Sequence, residues 1–424
     1  MKTLAIIGTG VAGLGCAHFL HERFDLTLYE QNDYVGGHTN TITVNEQGRA
    51  VPIDTGFMVF NHVTYPNLTR LFRELDVQTK PTEMSFSVQH TPSGLEYNGS
   101  SLGQLFGQRC NLLSLRHWRM LMAINRFNDE AVGALDDPRW AGHTLGQYVK
   151  ERGYGDDMLQ RYLVPMSASV WSTPPDRMLD FPAMTLIRFW HNHGFLGMRT
   201  QHQWYTVVGG AQSYVKKITA PFGDRVQLWN RAVRVERRGS RAMVTDAAGR
   251  VRDFDKVILA CHGDQALALL ADPTDTESRL LGAFRYQPNT ATLHTDPSFM
   301  PRTRLCWASW NYRIDPMTDG TERPTIHYWM NSLQGVSERE DYFVSLNCHD
   351  RVAPEKVLRR IEYEHPLFDT AAVAAQRELP QLNRISPEQA TYYAGAWFKY
   401  GFHEDGFTSA LECARAVTGE AIWA

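Results

Sequence analysis

The run from Leu4 to Glu30 constrains this chain more than any other feature. An apolar strand (Leu4 to Ile7) enters a turn that holds Gly8, Gly10 and Gly13; a helix follows, and then a second strand (Leu26 to Tyr29) that stops at Glu30. Each residue type has a mechanical reason. Gly8 permits the tight turn, Gly10 lets the backbone approach a pyrophosphate, and Gly13 lets the helix pack closely on the strand. Val11 and Ala12 open the helix, whose free N–H groups and positive dipole end favour phosphate. Glu30 stands where an acid accepts hydrogen bonds from a ribose. The pattern predicts an adenine-dinucleotide site.

Lys2 before an apolar run and Cys16 after small residues superficially resemble a secretory signal. The three glycines and the continuation into a second strand assign the segment to the fold instead. No stretch of about 18 uninterrupted apolar residues occurs, so no membrane span is expected. With 424 residues, 43% hydrophobic and 21% charged, the chain can bury a large core in two domains. A formal net charge of −3 lacks the basic excess of a nucleic-acid binder. The six cysteines are scattered without a Cys-x-x-Cys, which argues against a dithiol centre or zinc ribbon and for a reducing, cytoplasmic setting. Aromatics at 11% suit a chain that lines an apolar cavity, and suit a large aromatic core equally well.

Glu30 alone fits NAD or FAD; the residues after it discriminate. Gly36 and Gly37, followed by His38 and Thr39, form a second glycine pair that lets the chain pass under a long extended cofactor. Val51 to Phe57 is similar to the short strand and turn that sits beside the flavin in FAD oxidoreductases. Near the C-terminus, Tyr392 to Trp397 reads as a strand ending in a small-residue turn at Gly395. Gly401 to Gly406 then leads into a helix expected over Phe407 to Ala414. Gly395, Trp397, Asp405, Gly406 and Phe407 are the residues expected to cradle the flavin edge. Between the ends, Gly209-Gly210 precedes a helix-like run (Gln212 to Ala220). Short strands follow at Val226 to Trp229, Ala232 to Val235, Ala242 to Thr245 and Lys256 to Ala260, with the backbone of Val233 expected to face the adenine.

With these motifs the chain resembles the flavin amine oxidase and phytoene-desaturase-like superfamily of FAD oxidoreductases. Gly56 to Asn61, Thr64 to Asn67, Met84 to Ser87, Tyr162 to Met166, Val170 to Ser172 and Tyr400 to Gly406 are similar to one branch. That branch includes bacterial flavoproteins encoded beside cyclopropane-fatty-acid synthases and the N-terminal flavoprotein half of the plant synthases. The resemblance implies a Rossmann-type α/β FAD-binding domain, glutathione-reductase or amine-oxidase-like, with an inserted α+β substrate domain. It also implies work on unsaturated or branched acyl chains attached to phospholipid. Several residues depart from the superfamily pattern. His38 stands where amine oxidases usually carry Arg, and Ala396 and Trp397 replace the acid often found after the terminal glycine. No lysine matches the one that holds water against flavin N5, and Cys413 falls on the following helix rather than at a covalent-flavin position. Non-covalent FAD is therefore expected.

The cofactor domain is expected to be discontinuous, over residues 1–58, 205–268 and 388–424, with 59–204 and 269–387 forming the substrate domain. The first insertion reads as helical over Pro66 to Leu75, Leu113 to Gly133, Thr144 to Arg152 and Phe181 to Trp190. The second holds strand candidates Thr290 to His294, Arg304 to Trp310, Thr325 to Met330 and Phe343 to Leu346, and a helix candidate at Val352 to Glu364.

The chemistry implied is an FAD-dependent oxidoreductase reaction that desaturates, or shifts a double bond in, an unsaturated fatty-acyl chain by hydride transfer to flavin N5. An adjacent double bond would assist through allylic stabilisation. The alternative is an FAD amine oxidase acting on a small amine or polyamine, and a third is a flavin-binding partner of a neighbouring fatty-acid methyltransferase. Polar groups expected near the ring are Asn61, His62, Tyr65, His193, Trp204, Tyr205, His262, Tyr400 and His403; of these Asn61, His193, Tyr205 and Tyr400 are the catalytic candidates. His191 and His193 lack neighbouring acid or thiol ligands, so no metal is expected. Trp307, Trp310 and Trp329 are candidates to wall an apolar tunnel. Arg116, Arg119 and Arg126 on a helix-like run suggest peripheral contact with phospholipid headgroups at the inner membrane face, or simply a solvated helix face.

Overall fold

A five-stranded parallel sheet carries the N-terminal fingerprint. In this computed structural model, which describes every residue except 198, 199, 318, 320, 385, 387 and 424, the sheet order is Val226–Gln227, Phe24–Tyr29, Lys2–Ile7, Lys256–Leu259, Thr391–Tyr393. The first strand is central, with Leu4 opposite Leu26 on one side and Lys256 on the other. Leu4, Ala5 and Ile6 are fully buried, as a strand covered on both faces requires.

One face is covered by helix Val11–Leu20 against the terminal helix His403–Thr418. These helices approach so closely that a Cβ on Gly15 would lie 2.7 Å from the Ala410 Cβ. The antiparallel meander Ala232–Arg238, Arg241–Asp246, Val251–Phe254 packs on the other face, with Phe254 edge-on to Tyr29. The terminal helix begins at His403 rather than beyond Gly406, because Asp405 accepts the Phe402 amide at 3.0 Å and starts the helix before the glycine.

A second, seven-stranded sheet runs Val357–Leu367, Arg285–His294, Phe343–Leu346, Glu322–Trp329, Trp310–Pro316, Phe86–His90, Leu95–Asn98. Every neighbouring pair is antiparallel except Trp310–Pro316 with Phe86–His90. Helix Val164–Trp171 contacts strands Trp310–Pro316 and Val357–Leu367 and meets helix Ala183–Asn192 through Trp171 and Phe189, and helices Leu115–Ala134 and Leu145–Arg152 pack on Ala183–Asn192 in turn.

Two expectations are corrected here. The segment expected as a helix at Val352 to Glu364 is the edge strand Val357–Leu367, paired along its length with Arg285–His294. Its Arg and Glu residues suit helices, but Val357, Ile361, Tyr363 and His365 recur with period two, and pairing at a sheet edge, where Pro366 is tolerated, decided the outcome. The strand expected at Arg304 to Trp310 is a short 3₁₀ turn, Arg304–Cys306, and the strand starts only at Trp310. There Trp307 and Trp329 pack edge to face with the Arg304 guanidinium over both rings, so of the three tryptophans Trp310 alone faces the cavity described below. No helix among the described residues is long and apolar enough to cross a membrane.

Candidate active site

A cavity of about 1370 Å³ lies between the two sheets, and one part of its wall is the fingerprint itself. Gly8, Thr9, Gly10, Val11, Ala12, Glu30, Gly37, His38 and Val233 line it. An added Cβ on Gly10 would meet nothing within 4 Å, so the glycine leaves open space above the helix N-terminus. A Cβ on Gly13 would stand 1.9 Å from the Gly8 carbonyl oxygen; that glycine serves the packing of helix on turn.

Gly37 (φ +58°) would place a Cβ 3.1 Å from the Gly10 Cα, so the second glycine pair presses directly on the first. Glu30 is buried, and one carboxylate oxygen accepts both the amide and the hydroxyl of Thr9 (3.1 and 2.5 Å). The other accepts the amide and side-chain nitrogen of Asn32, each at 2.9 Å. These bonds fix the acid at the cavity wall. His38 contributes a buried Nε2 with no hydrogen-bond partner among the described residues. An open cradle of backbone N–H groups, a positioned acid and an unpartnered polar atom fit a dinucleotide carrying phosphates and ribose hydroxyls.

Histidines ring the adjoining wall. His38 stacks on Tyr363 with His365 against its edge, His262 stacks on Tyr286 at 4.1 Å, and His403 stacks on Phe57 at 3.7 Å. Burial lowers the pKa of His38 and of His262 to about 4, and that of His365 and of His403 to about 3, with neighbouring histidines adding to the effect. All four are neutral at physiological pH. Thr39 stands behind this wall, its hydroxyl 2.8 Å from both His403 Nε2 and the Tyr214 hydroxyl.

The terminal motif is built as a support. Trp397 folds over Gly395, where a Cβ would lie 2.1 Å from its Nε1, and that nitrogen donates to the Cys261 carbonyl at 3.1 Å. Gly395 and Trp397 line the cavity; Asp405, Gly406 and Phe407 do not. Asp405 is buried and accepts the amides of Phe402 (3.0 Å) and Tyr400 (3.2 Å), which holds the cavity-lining loop Tyr400 to His403 in place. Burial raises its pKa to about 7 despite those amides. Gly406 allows the close approach of Val11, and Phe407 is buried against Gly15 and Phe19. Gly36 also stands behind the wall: a Cβ there would lie 2.7 Å from the Thr39 carbonyl.

Of the four catalytic candidates only Tyr400 lines the cavity. Asn61 is a turn former whose side chain accepts the amides of Val63 and Thr64 and donates to the Thr64 hydroxyl. His193 is turned into the helix packing, with Nδ1 2.9 Å from the Phe189 carbonyl and its ring stacked on Phe189. Tyr205 packs on His62 and Phe60, away from the cavity, because alternation along strand Trp204–Val207 sends Trp204 inward instead. His62 lies with it, while Tyr65, Trp204, His262 and His403 do face the cavity.

Sequence reasoning missed His365, Tyr363 and Tyr286. The first two stand at alternate positions of the edge strand that reads as a helix, so their period-two signal was present but overridden. A metal-like set exists elsewhere: His294, His327 and Cys348 bring ligand atoms within 4.8 Å. Ser345 Oγ lies 2.7 Å from a nitrogen of each imidazole, and the remaining nitrogens bond the Asp296 amide and the Thr325 hydroxyl. That is a satisfied core network.

Beyond the histidines the wall changes character. From Met84 to Asn128 and from Tyr162 to Trp204, the described lining residues include no charged side chain. Met84, Phe86, Leu105, Leu121, Ile124 and Met166 give this arm an apolar surface, and Trp171 and Phe189 pack against Tyr400 and Phe402 on the same wall.

The sequence profile of the flavin containing amine oxidoreductases matches residues 11–418. No curated protein matches the chain in sequence. Among solved structures, wild-type putrescine oxidase bound to putrescine superposes with a TM-score of 0.67 at 13% identity, covering 99% of each chain. Cyclohexylamine oxidase from Brevibacterium oxydans IH-35A gives 0.66 at 17% identity and a CLA-producing fatty acid isomerase from P. acnes 0.66 at 15%, each covering 99% of both chains. At such identities these likenesses establish a shared fold.

Proposed function

Because the chain belongs to the flavin-containing amine oxidoreductase family and is an FAD-dependent oxidoreductase, we propose that its substrate is an unsaturated fatty-acyl chain carried on a lipid, in which it introduces or moves a C=C bond. The observation that carries this reading is the uncharged arm of the cavity. An alkylammonium group placed there would lose its hydration without meeting a carboxylate, a cost of several kcal/mol. An acyl chain gains about 0.8 kcal/mol per buried CH₂ and needs no charged anchor. Of the four acids on the whole wall three are engaged, Glu30 by Thr9 and Asn32, Glu362 by Thr290 and Glu364 opposite His262, while the fourth, Glu83, is exposed and adjoins Met84 at the edge of the arm. The isomerase with the same fold is a precedent for acyl chemistry, and the two amine oxidases keep amine oxidation as the competing reading.

Bound FAD would supply two-electron, hydride-accepting chemistry toward a C–H bond of the substrate. The protein's contribution is placement and exclusion of water. Gly8 to Ala12, Glu30 and His38 would hold the dinucleotide non-covalently. Trp171 Nε1 donates to the Tyr400 carbonyl at 3.1 Å and, with Asp405, sets the loop that carries Tyr400 and Phe402 to the cavity. Burial raises the Tyr400 pKa, with the Asp405 carboxyl adding to the effect, so its phenol keeps its proton. An allylic C–H bond adjacent to an existing double bond is the weakest available to such a site. In desaturation the chain would lose two hydrogens, one of them as a proton, and the two-electron oxidation is the chemistry the flavin would supply. In isomerisation the hydrogen would be restored at the far end of the allyl unit, with no net oxidation of the lipid.

The test is anaerobic incubation of the holoenzyme with monounsaturated phospholipid, spermine or benzylamine, read by flavin absorbance and by mass spectrometry of the lipid. A lipid that loses two hydrogens or relocates its double bond, with amines inert, is the expected result. Rapid flavin bleaching by an amine with unaltered lipid would replace this reading with amine oxidation.

A further inference from the structure

We propose that the outer face of helix Leu115–Ala134, with the turn before it, docks on an anionic phospholipid bilayer. The acyl-lipid reading above supplies the reason such docking would serve the enzyme; the surface itself rests on separate observations. Leu112, Leu113, Leu115, Trp118 and Met122 are exposed, Leu113 by 90% and Leu115 by 74%. Positions 115, 118, 119, 122 and 126 share one side of the helix at about 100° per residue. Scattered exposed leucines are ordinary on a soluble surface, whereas a contiguous apolar face is a feature of interaction sites.

The same helix turns a different side to the cavity, where Leu121, Ile124, Asn125 and Asn128 line it. Leu102 also lines the cavity and is 66% exposed, which places an opening of the uncharged arm beside the patch. Trp118 packs on Phe106 and donates its Nε1 to the Leu112 carbonyl at 3.0 Å, so the indole knits the turn to the helix.

Charge selects the partner. From Tyr97 to Asn128 the sequence holds no Asp or Glu but four arginines, Arg109, Arg116, Arg119 and Arg126, in a protein of net charge −3. Arg116 pairs with Asp157 and Arg126 lies 3.8 Å from Glu130. Arg119 makes no hydrogen bond or ion pair among the described residues, and Arg109 meets only the carbonyls of Gly103 and Phe106. Exposed leucines flanked by uncompensated arginines complement a bilayer with anionic headgroups: the apolar side chains enter the interface and the guanidinium groups meet phosphate. A second copy of the chain would set these arginines against their own counterparts.

The experiment is sedimentation of the full-length holoenzyme with large unilamellar vesicles of phosphatidylcholine, alone or mixed with phosphatidylglycerol. Binding to the mixed vesicles that weakens in high salt is expected. Leu113→Glu with Leu115→Glu, and separately Arg109→Glu with Arg119→Glu, should each weaken binding about tenfold or more. Flavin spectrum and turnover of detergent-dispersed lipid should stay as in the parent. If the Leu→Glu pair does not fold, Leu113→Ser with Leu115→Ser asks the same question. Absence of binding to anionic vesicles, or binding that neither pair alters, overturns the proposal. So does a concentration-dependent dimer, seen by light scattering, that the Leu113 and Leu115 substitutions abolish. Patch-dependent binding by an enzyme that turns over no acyl lipid would leave docking intact and sink the substrate reading; turnover of dispersed lipid without vesicle binding would do the reverse.

Discussion

Asp54 and Gln334 grip each other across the joint between the cofactor cradle and the seven-stranded sheet: the Asp54 amide donates to Gln334 Oε1 at 2.9 Å, and Gln334 Nε2 donates to the Asp54 carboxylate at 2.5 Å. Asp54 also accepts the Thr41 hydroxyl and the Ala211 amide, so one fully buried acid ties together stretches of chain 280 residues apart. Removing it strands several buried donors. Asp54→Ala should therefore destabilise the protein by about 3 kcal/mol or more, while Asp54→Asn, which keeps an acceptor oxygen, should cost less. Chemical denaturation of the apoproteins measures both; equal stability of Asp54→Ala and parent would show that the joint carries no weight.

The fingerprint glycines should separate by function. Gly10→Ala adds a methyl group to open cavity space and should fold normally while losing FAD. Gly13→Ala drives a Cβ to 1.9 Å from the Gly8 carbonyl and should lower the melting temperature even without cofactor. Apoprotein melts alongside flavin binding distinguish the two; equal damage to both properties in both variants would contradict this division.

Glu30→Ala removes the acceptor that holds Thr9 and Asn32 and that faces the cavity. FAD affinity should fall by about 1–3 kcal/mol, the cost of leaving buried donors unpaired. Fluorescence titration of released flavin gives the constant, and denaturation of the parent should free intact FAD rather than leave it attached to the precipitated chain.

Acid should weaken the cradle. His38, His262, His365 and His403 have folded-state pKa values lowered to about 3–4, below the usual 6.5. Between pH 6.5 and 4 the unfolded chain binds protons that the folded chain refuses, so their contribution to stability is lost as pH falls. Asp54 and Asp405 oppose this trend, because burial raises their pKa to about 6 and about 7 and the folded chain holds their protons longer. Four histidines outweigh two acids, so net stability should drop on acidification by about 1.4 kcal/mol per pH unit for each excess proton. Apoprotein stability at pH 4.5 and 6.5 measures the slope; His365→Asn should flatten it and Asp54→Asn should steepen it.

Val170 lines the uncharged arm. Val170→Arg should abolish lipid turnover and leave the flavin spectrum unchanged, since the substituted side chain blocks the arm and spares the cradle. Loss of flavin in this variant would mean that the two regions are not separable.

Much of the cradle is legible from sequence because its signals are local. Gly8, Gly10, Gly13 and Glu30 answer to one strand–turn–helix–strand unit, and Gly36-Gly37 follows Glu30 closely enough to read as a second glycine pair. Residues that act through distant contacts are not legible in this way. Thr39 follows the cavity residue His38, and Asp405 and Phe407 come shortly after the cavity residue His403, yet all three hold the wall from behind.

What the sequence by itself determined is the parallel sheet with its dinucleotide turn, since hydrophobic periodicity and glycine placement over 30 residues leave no competing arrangement. Only the tertiary structure decided which side chains meet the substrate space. Asn61, His193 and Tyr205 have suitable chemistry, but strand alternation and helix packing turn them elsewhere. Tyr363 and His365 reach the cavity because a charged segment with helical composition gained more by pairing as an edge strand. The cause is the same in each case: the direction of a side chain depends on the partner its backbone finds, and that partner lies far away along the chain.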